Sequence, residues 1–188
     1  MKRVLVPLAE GFEEIEAITI VDLLRRANLT VITAALAGNP VRGSHGIAVL
    51  ADAPLDEVCD QDFDLIALPG GMPGARHLRE DHRIVALLQR HAAAGAITAA
   101  ICAAPSVLAA AGLLEGRRAT SYPGFLDAAA VSELQLCEDP VVVSERIITS
   151  RGPGTAMDFA LELIGQLAGP AAREAVAGPL QRPAMASP

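Results

Sequence analysis

Hydrophobic and polar positions along the chain fall into two kinds of run that alternate. Short, continuous, β-branched stretches at 2–8 (KRVLVPL) and 29–36 (LTVITAAL) have the length of buried strands, as does DLIALPGG at 64–71, which ends in glycines. ITAAI at 97–101 is a fourth. Residues 13–27, 75–95 and 155–169 instead space apolar side chains three and four apart, the period of an amphipathic helix. The first of these helices carries acids in its opening turn and Arg25–Arg26 in its last, as the helix dipole favours. An Ala/Leu-rich helix is predicted from about Ala103 to Leu114. Residues 45–52 read as a short strand or excursion, and 117–122, 133–137 and 141–150 as extended segments, the last a candidate hairpin.

Strands alternating with helices over short loops predict an α/β domain, doubly wound, with a mostly parallel sheet covered on both faces. No repeat, linker or low-complexity block divides residues 1–188, so one domain is expected, with a loose tail from about 180. The uncharged run from Ala92 to Leu114 is long enough on paper to span a bilayer. Gly95, Pro105 and Gly112 divide it, so a strand plus a helix is expected instead, and no membrane partner.

Composition narrows the chemistry. A net charge of −7 argues against a nucleic-acid surface, which would need a basic stripe. The single lysine, Lys2, leaves little room for Schiff-base catalysis. Three cysteines, at 59, 102 and 137, have no CxxC spacing and fit a reducing, cytoplasmic setting better than a disulfide framework. His45, His77, His82 and His91 lack the spacing or the nearby acids of a zinc helix and fall on faces read as solvated, so no metal is expected. GPGTAM lacks the third glycine of a dinucleotide fingerprint and no GxxxxGK occurs, so no nucleotide cofactor is expected either.

In an open α/β sheet, ligands bind beyond the carboxyl ends of the strands, near the switch point. Three segments end strands with unusual chemistry: AEGFEEIE, PGGMPG and Cys102. A thiol at a strand-to-helix turn is either a small core residue or a nucleophile whose thiolate is favoured by unsatisfied N–H groups. Glu16 lies on a mostly apolar stripe with Phe12, Glu13, Thr19, Ile20 and Leu23, so burial should raise its pKa. A protonated Glu16 would donate to a Cys102 thiolate; alternatively Glu13, Glu14 and Glu16 only complement the helix dipole. Gly70 and Gly71 form either a nest of N–H donors for an oxyanion or a plain tight turn.

AEGFEEIEA, LPGGMPGA, AAICAAPSVLA and TSRGPGTAMDFALELI occur in this order, and together they resemble the ThiJ/PfpI superfamily over about residues 2–180. The likeness is strongest to its parkinsonism-associated protein deglycase branch and the bacterial YajL-like members. The resemblance implies a flavodoxin-like sandwich, a homodimer and no cofactor. It also implies a reactive Cys102, a protonated partner Glu16, backbone donors at Gly70, Gly71 and Ala103, and a basic Arg26 near the site or the dimer interface. Glutathione-independent glyoxalase action on methylglyoxal or glyoxal follows, as does deglycation of early protein or nucleotide adducts. A redox-regulated chaperone or oxidative-stress sensor is the alternative. Tyr122 stands where many relatives carry histidine, Ala103 follows the cysteine where peptidase-type members have histidine, and no histidine comes after His91. Peptidase or amidotransferase chemistry by a Cys–His pair is therefore not expected.

Overall fold

The computed structural model describes residues 2–182. Its elements follow the chain as β1 (Arg3–Leu8), α1 (Glu14–Arg26), β2 (Thr30–Ala35), β3 (Val41–Arg42), β4 (Ala48–Val49) and β5 (Ala53–Pro54). After a 3₁₀ turn come β6 (Leu65–Leu68), α2 (Gly74–Glu80), α3 (His82–Ala93), β7 (Ile97–Ile101) and α4 (Pro105–Ala110). The remainder is β8 (Arg118–Ala119), β9 (Gln135–Leu136), β10 (Val141–Ser144), β11 (Ile147–Ser150), α5 (Ala156–Ala168) and α6 (Pro170–Ala177). A seven-stranded sheet has the order β10-β11-β7-β6-β1-β2-β5. Every pairing in it is parallel except the β10–β11 hairpin. This is the doubly wound, flavodoxin-like arrangement expected of alternating strands and helices.

Period-two alternation along β1 separates two cores. Val4, Val6 and Leu8 face one way, onto Ile20 and Leu24 of α1 and Phe159 and Ile164 of α5. Leu5 faces the other way, with Ile66 and Leu68, onto Leu87 and Leu88 of α3 and Val107 and Leu108 of α4. The chain runs from β1 to β2 on one side and returns to β6 on the other, which places the switch point between β1 and β6. The loops after β1, β6 and β7 therefore share one edge of the sheet.

Local chemistry changes some boundaries. The helix expected over 75–95 is two helices, because the Asp81 carboxylate accepts from the Arg83 N–H at 2.9 Å and caps a new start. Residues 45–52 contribute only β4, paired with β3 in a small antiparallel ribbon. A further helix, α6, follows α5 where no element was expected; Gly169 at φ 87° ends α5 and Pro170 begins α6. The tail expected to be loose lies, from residue 183, outside the described residues. Among the described residues no helix is long and apolar enough to cross a membrane.

Candidate active site

β7 delivers Cys102 to the shared edge. Its φ of 64° is left-handed, a conformation a side chain adopts only under constraint. The constraint is backbone pairing on both sides: the Cys102 N–H donates to the Ser150 carbonyl at 2.9 Å, and the Tyr122 N–H donates to the Cys102 carbonyl at 2.9 Å. The turn thus holds the thiol at the mouth of a cavity of about 280 Å³ lined by Glu13, Gly71, Ala103, Tyr122, Phe125 and Pro153, among others. Cys102 is 9% exposed, so it is neither sealed in the core nor open to bulk water.

Glu16 reaches the same point from the first turn of α1 and is wholly buried. Its Oε2 accepts the Gly70 N–H at 2.7 Å, while its Oε1 has no partner among the described residues. A Cβ at Gly70 would stand 2.7 Å from the Cys102 Cβ and 2.9 Å from Glu16 Oε2, so only glycine lets the three come together. Gly71, at φ 87°, is equally confined: a Cβ there would meet the Glu13 amide nitrogen at 2.3 Å.

Burial raises Glu16 to a pKa of about 7, against the pull of the Gly70 N–H and the Cys102 thiol. Burial also pushes the Cys102 thiol up, to about 12, and the neighbouring Glu16 charge adds to it; the N–H groups of Gly71 and Ala103 act in the opposite direction. Burial thus works against the thiolate that the unsatisfied N–H groups of the helix start would favour. Desolvation and a neighbouring carboxylate outweigh two backbone donors. Two like charges in one buried space are disfavoured, so near neutrality the pair holds at most one negative charge.

Beside the cavity, Glu14 is buried yet held ionised at a pKa of about 2. Burial alone would raise it; hydrogen bonds, including those from the His45 side chain and the His45 and Ile47 N–H groups, more than offset that. The His45 and Ile47 N–H groups donate at 2.8 and 3.3 Å, and His45 Nδ1 lies 3.0 Å from Glu14 Oε2. Glu13, Glu14 and His45 bring ligand atoms within 4.8 Å of one another, the group among the described residues best able to hold a metal. The reading that no histidine has acids nearby fails here, because 31 residues of sequence separate His45 from Glu14. As it stands, His45 Nδ1 lies 3.0 Å from Glu14 and 3.6 Å from Glu13.

With this geometry in view, similarity to known proteins is informative. The DJ-1/PfpI family model matches residues 2–166. The chain belongs to the DJ-1/PfpI family. It is 40% identical over 181 residues to "Protein DJ-1 homolog B" of Arabidopsis thaliana, covering 95% of this chain and 41% of that protein. The chain therefore spans less than half the length of that relative. It is also 38% identical over 171 residues to "Glutathione-independent glyoxalase DJR-1.2" of Caenorhabditis elegans, covering 91% of each. Among solved structures, "Toxoplasma gondii DJ-1, oxidized" superposes with a TM-score of 0.90 at 41% identity, covering 98% of this chain and 100% of that one.

The edge brings together Glu16, Gly70, Gly71, Cys102, Ala103 and Tyr122. Three expectations need correction. Gly70 is not a free oxyanion donor, because its N–H is already committed to Glu16. Arg26 does not join the site: it ends α1 ten residues beyond Glu16, roughly 15 Å along the axis, and its Nε donates to Asp22 at 2.8 Å. His91 is likewise not on a solvated face but buried, with Nε2 accepting the Phe63 N–H at 3.0 Å and Nδ1 2.9 Å from the Leu87 carbonyl. Glu13 as a cavity wall was not anticipated. Its position just before the α1 start was visible, but the turn that brings it over Gly71 was not.

Proposed function

We propose that the protein is a cysteine-dependent, glutathione-independent glyoxalase and deglycase, acting on methylglyoxal or glyoxal and their early adducts. The observation that carries this reading is the bare, buried Oε1 of Glu16 beside the Cys102 thiol. A carboxylate with a pKa near 7 is suited to serve as a general base at physiological pH. The glyoxalase name borne by the Caenorhabditis relative supports the same chemistry at family level.

In the first step Glu16 takes the Cys102 proton as the sulfur adds to the aldehyde carbon of methylglyoxal. Negative charge moves from sulfur to the carbonyl oxygen, and the N–H groups of Gly71 and Ala103 stabilise it there. Glu16 returns its proton to that oxygen, giving a hemithioacetal. It then removes the former aldehyde hydrogen as a proton, giving an enediol, and delivers it to the former ketone carbon, while the hydroxyl proton of the first carbon passes to the oxygen of the second. One carbon is oxidised and its neighbour reduced by the same electron pair, leaving a thioester. Water cleaves the thioester to lactate and regenerates the thiol. The sum is methylglyoxal plus water to lactate, with no external oxidant or reductant.

An early carbinolamine adduct enters by displacement instead: sulfur bonds to the carbinol carbon as the carbon–nitrogen bond breaks, the amine leaves with the proton Glu16 took from Cys102, and the same hemithioacetal results. We also propose a cytoplasmic setting, supported by three free cysteines, and a homodimer. Ile15 and Ile18 on α1 and Ile47 and Leu50 around β4 are exposed large apolar side chains, a patch of the kind interfaces cover. The enzymatic reading is tested by following lactate formation from methylglyoxal without glutathione: the wild type should turn over, and an inactive wild type would end it.

A further inference from the structure

We propose that Arg151 is a specificity residue that binds an oxyanion, carboxylate or phosphate, on the part of the substrate left outside the Cys102 cavity; this rests on the glyoxalase and deglycase reading above. The first ground is register. Arg151 follows Ser150, whose carbonyl accepts the Cys102 N–H at 2.9 Å, and Ser150 pairs with Ile101 in the β7–β11 ladder. Arg151 therefore stands beside Cys102 at roughly one strand spacing, ~5 Å between backbones.

The second ground is the shape of the surface. Tyr122 and Pro153 wall the Cys102 cavity and also wall an adjoining groove, whose other residues include Arg151, Gly152 and Gly154. Tyr122 is held in place by its own N–H on the Cys102 carbonyl. A Cβ on Gly152 would meet its ring at 3.2 Å, so the groove floor lies directly under that ring. Arg151 also borders a further hollow with Ser121, Cys137 and Glu138.

The third ground is an unanswered charge. Among the described residues Arg151, like Arg3, Arg42, Arg76, Arg79 and Arg146, has no carboxylate within 4.0 Å, whereas Arg25, Arg83 and Arg117 each have one; of the unpaired ones, Arg151 alone borders the groove beside Cys102. Its guanidinium only donates to the Glu138 carbonyl, at 3.4 Å. In a chain of net charge −7, a cation left unpaired one residue from the nucleophile's backbone partner is available to a ligand. A guanidinium presents a planar fork of donors that matches carboxylate and phosphate oxygens two at a time. The three-carbon dicarbonyl needs only the Cys102 cavity. The carrier of an adduct, passing over the Tyr122–Pro153 rim, meets Arg151 next.

The test compares charged and neutral carriers of one reacting group. Hemithioacetals of methylglyoxal are formed with N-acetylcysteine or its neutral amide, and with 4′-phosphopantetheine or pantetheine, at matched free methylglyoxal. The readout is the kcat/KM ratio of each anionic carrier to its neutral counterpart. In the wild type the ratio should exceed one, and R151Q should lower it about tenfold or more, chiefly through KM. R151K, which keeps the charge, should retain much of the preference. A fall confined to the carboxylate pair, or to the phosphate pair, identifies the source of the oxyanion and supports the proposal. Ratios unaltered by R151Q in an enzyme that turns over methylglyoxal overturn this proposal alone. A wild type inactive on methylglyoxal overturns the glyoxalase reading and this one with it.

Discussion

Two titratable side chains are buried at opposite ends of the sheet, and their partners differ in kind. His91, below β6 and β7, is 3% exposed and has both ring nitrogens engaged, one by the Phe63 N–H and one at the Leu87 carbonyl. Glu16, above β1 and β6, is more deeply buried, yet one of its two oxygens is bare. A fully partnered buried polar group holds structure together; a half-partnered one keeps a site for a proton. The comparison separates architecture from chemistry without reference to any relative. The strained φ of Cys102 belongs to the same end as the bare oxygen.

This contrast can be broken most forcefully at the sulfur. C102S should lower methylglyoxal turnover by at least ~10³-fold, measured as lactate formed, because a hydroxyl is a far weaker nucleophile with the same base. E16Q keeps an oxygen for the Gly70 N–H but removes the base, and should lower kcat by ~10²–10⁴-fold. H91A belongs to the other end. It leaves the Phe63 N–H without an acceptor and should cost about 1–3 kcal/mol in denaturant unfolding, with kcat/KM unchanged. If H91A damages turnover as much as E16Q does, the division between the two ends is wrong.

The same contrast has a pH signature. The folded-state pKa of Glu16, about 7, lies above its ordinary value of 4.5. Its contribution to stability is therefore present below about pH 4.5 and is lost as pH rises through about 7. The full difference is of the order of 3 kcal/mol at 1.36 kcal/mol per pH unit. Comparing wild type with E16Q from pH 4.5 to 8 isolates that loss, since the groups outside the Glu16–Cys102 pair titrate alike in both. The variant should gain on the wild type by about this amount as pH rises, and parallel curves would show Glu16 already ionised at no penalty.

Much of this was legible in the residues. The runs at 2–8, 29–36 and 97–101 and the amphipathic 155–169 gave the layers, because burial on a sheet demands those periods. The apolar stripe around Glu16 anticipated its burial and its raised pKa. What the sequence hid was which groups desolvate one another. The upward shift of the Cys102 thiol comes first from burial and then from Glu16, 86 residues away in sequence but adjacent in space. The claim of Glu16 on the Gly70 N–H, and of Glu14 on His45, are contacts of the same long-range kind. The break at Asp81 is different: a local carboxylate overrode a helical pattern that continues through it.

The direction of coupling between Glu16 and Cys102 is most directly read by ultraviolet titration of the thiolate in a background lacking Cys59 and Cys137. With Glu16 as an ionised neighbour that raises the thiol, thiolate absorbance in the wild type should emerge only well above pH 9, and E16Q should move it to lower pH. Thiolate already present at neutral pH in the wild type, and displaced to higher pH by E16Q, would mean that a protonated Glu16 stabilises the sulfur anion, contradicting its role as the base.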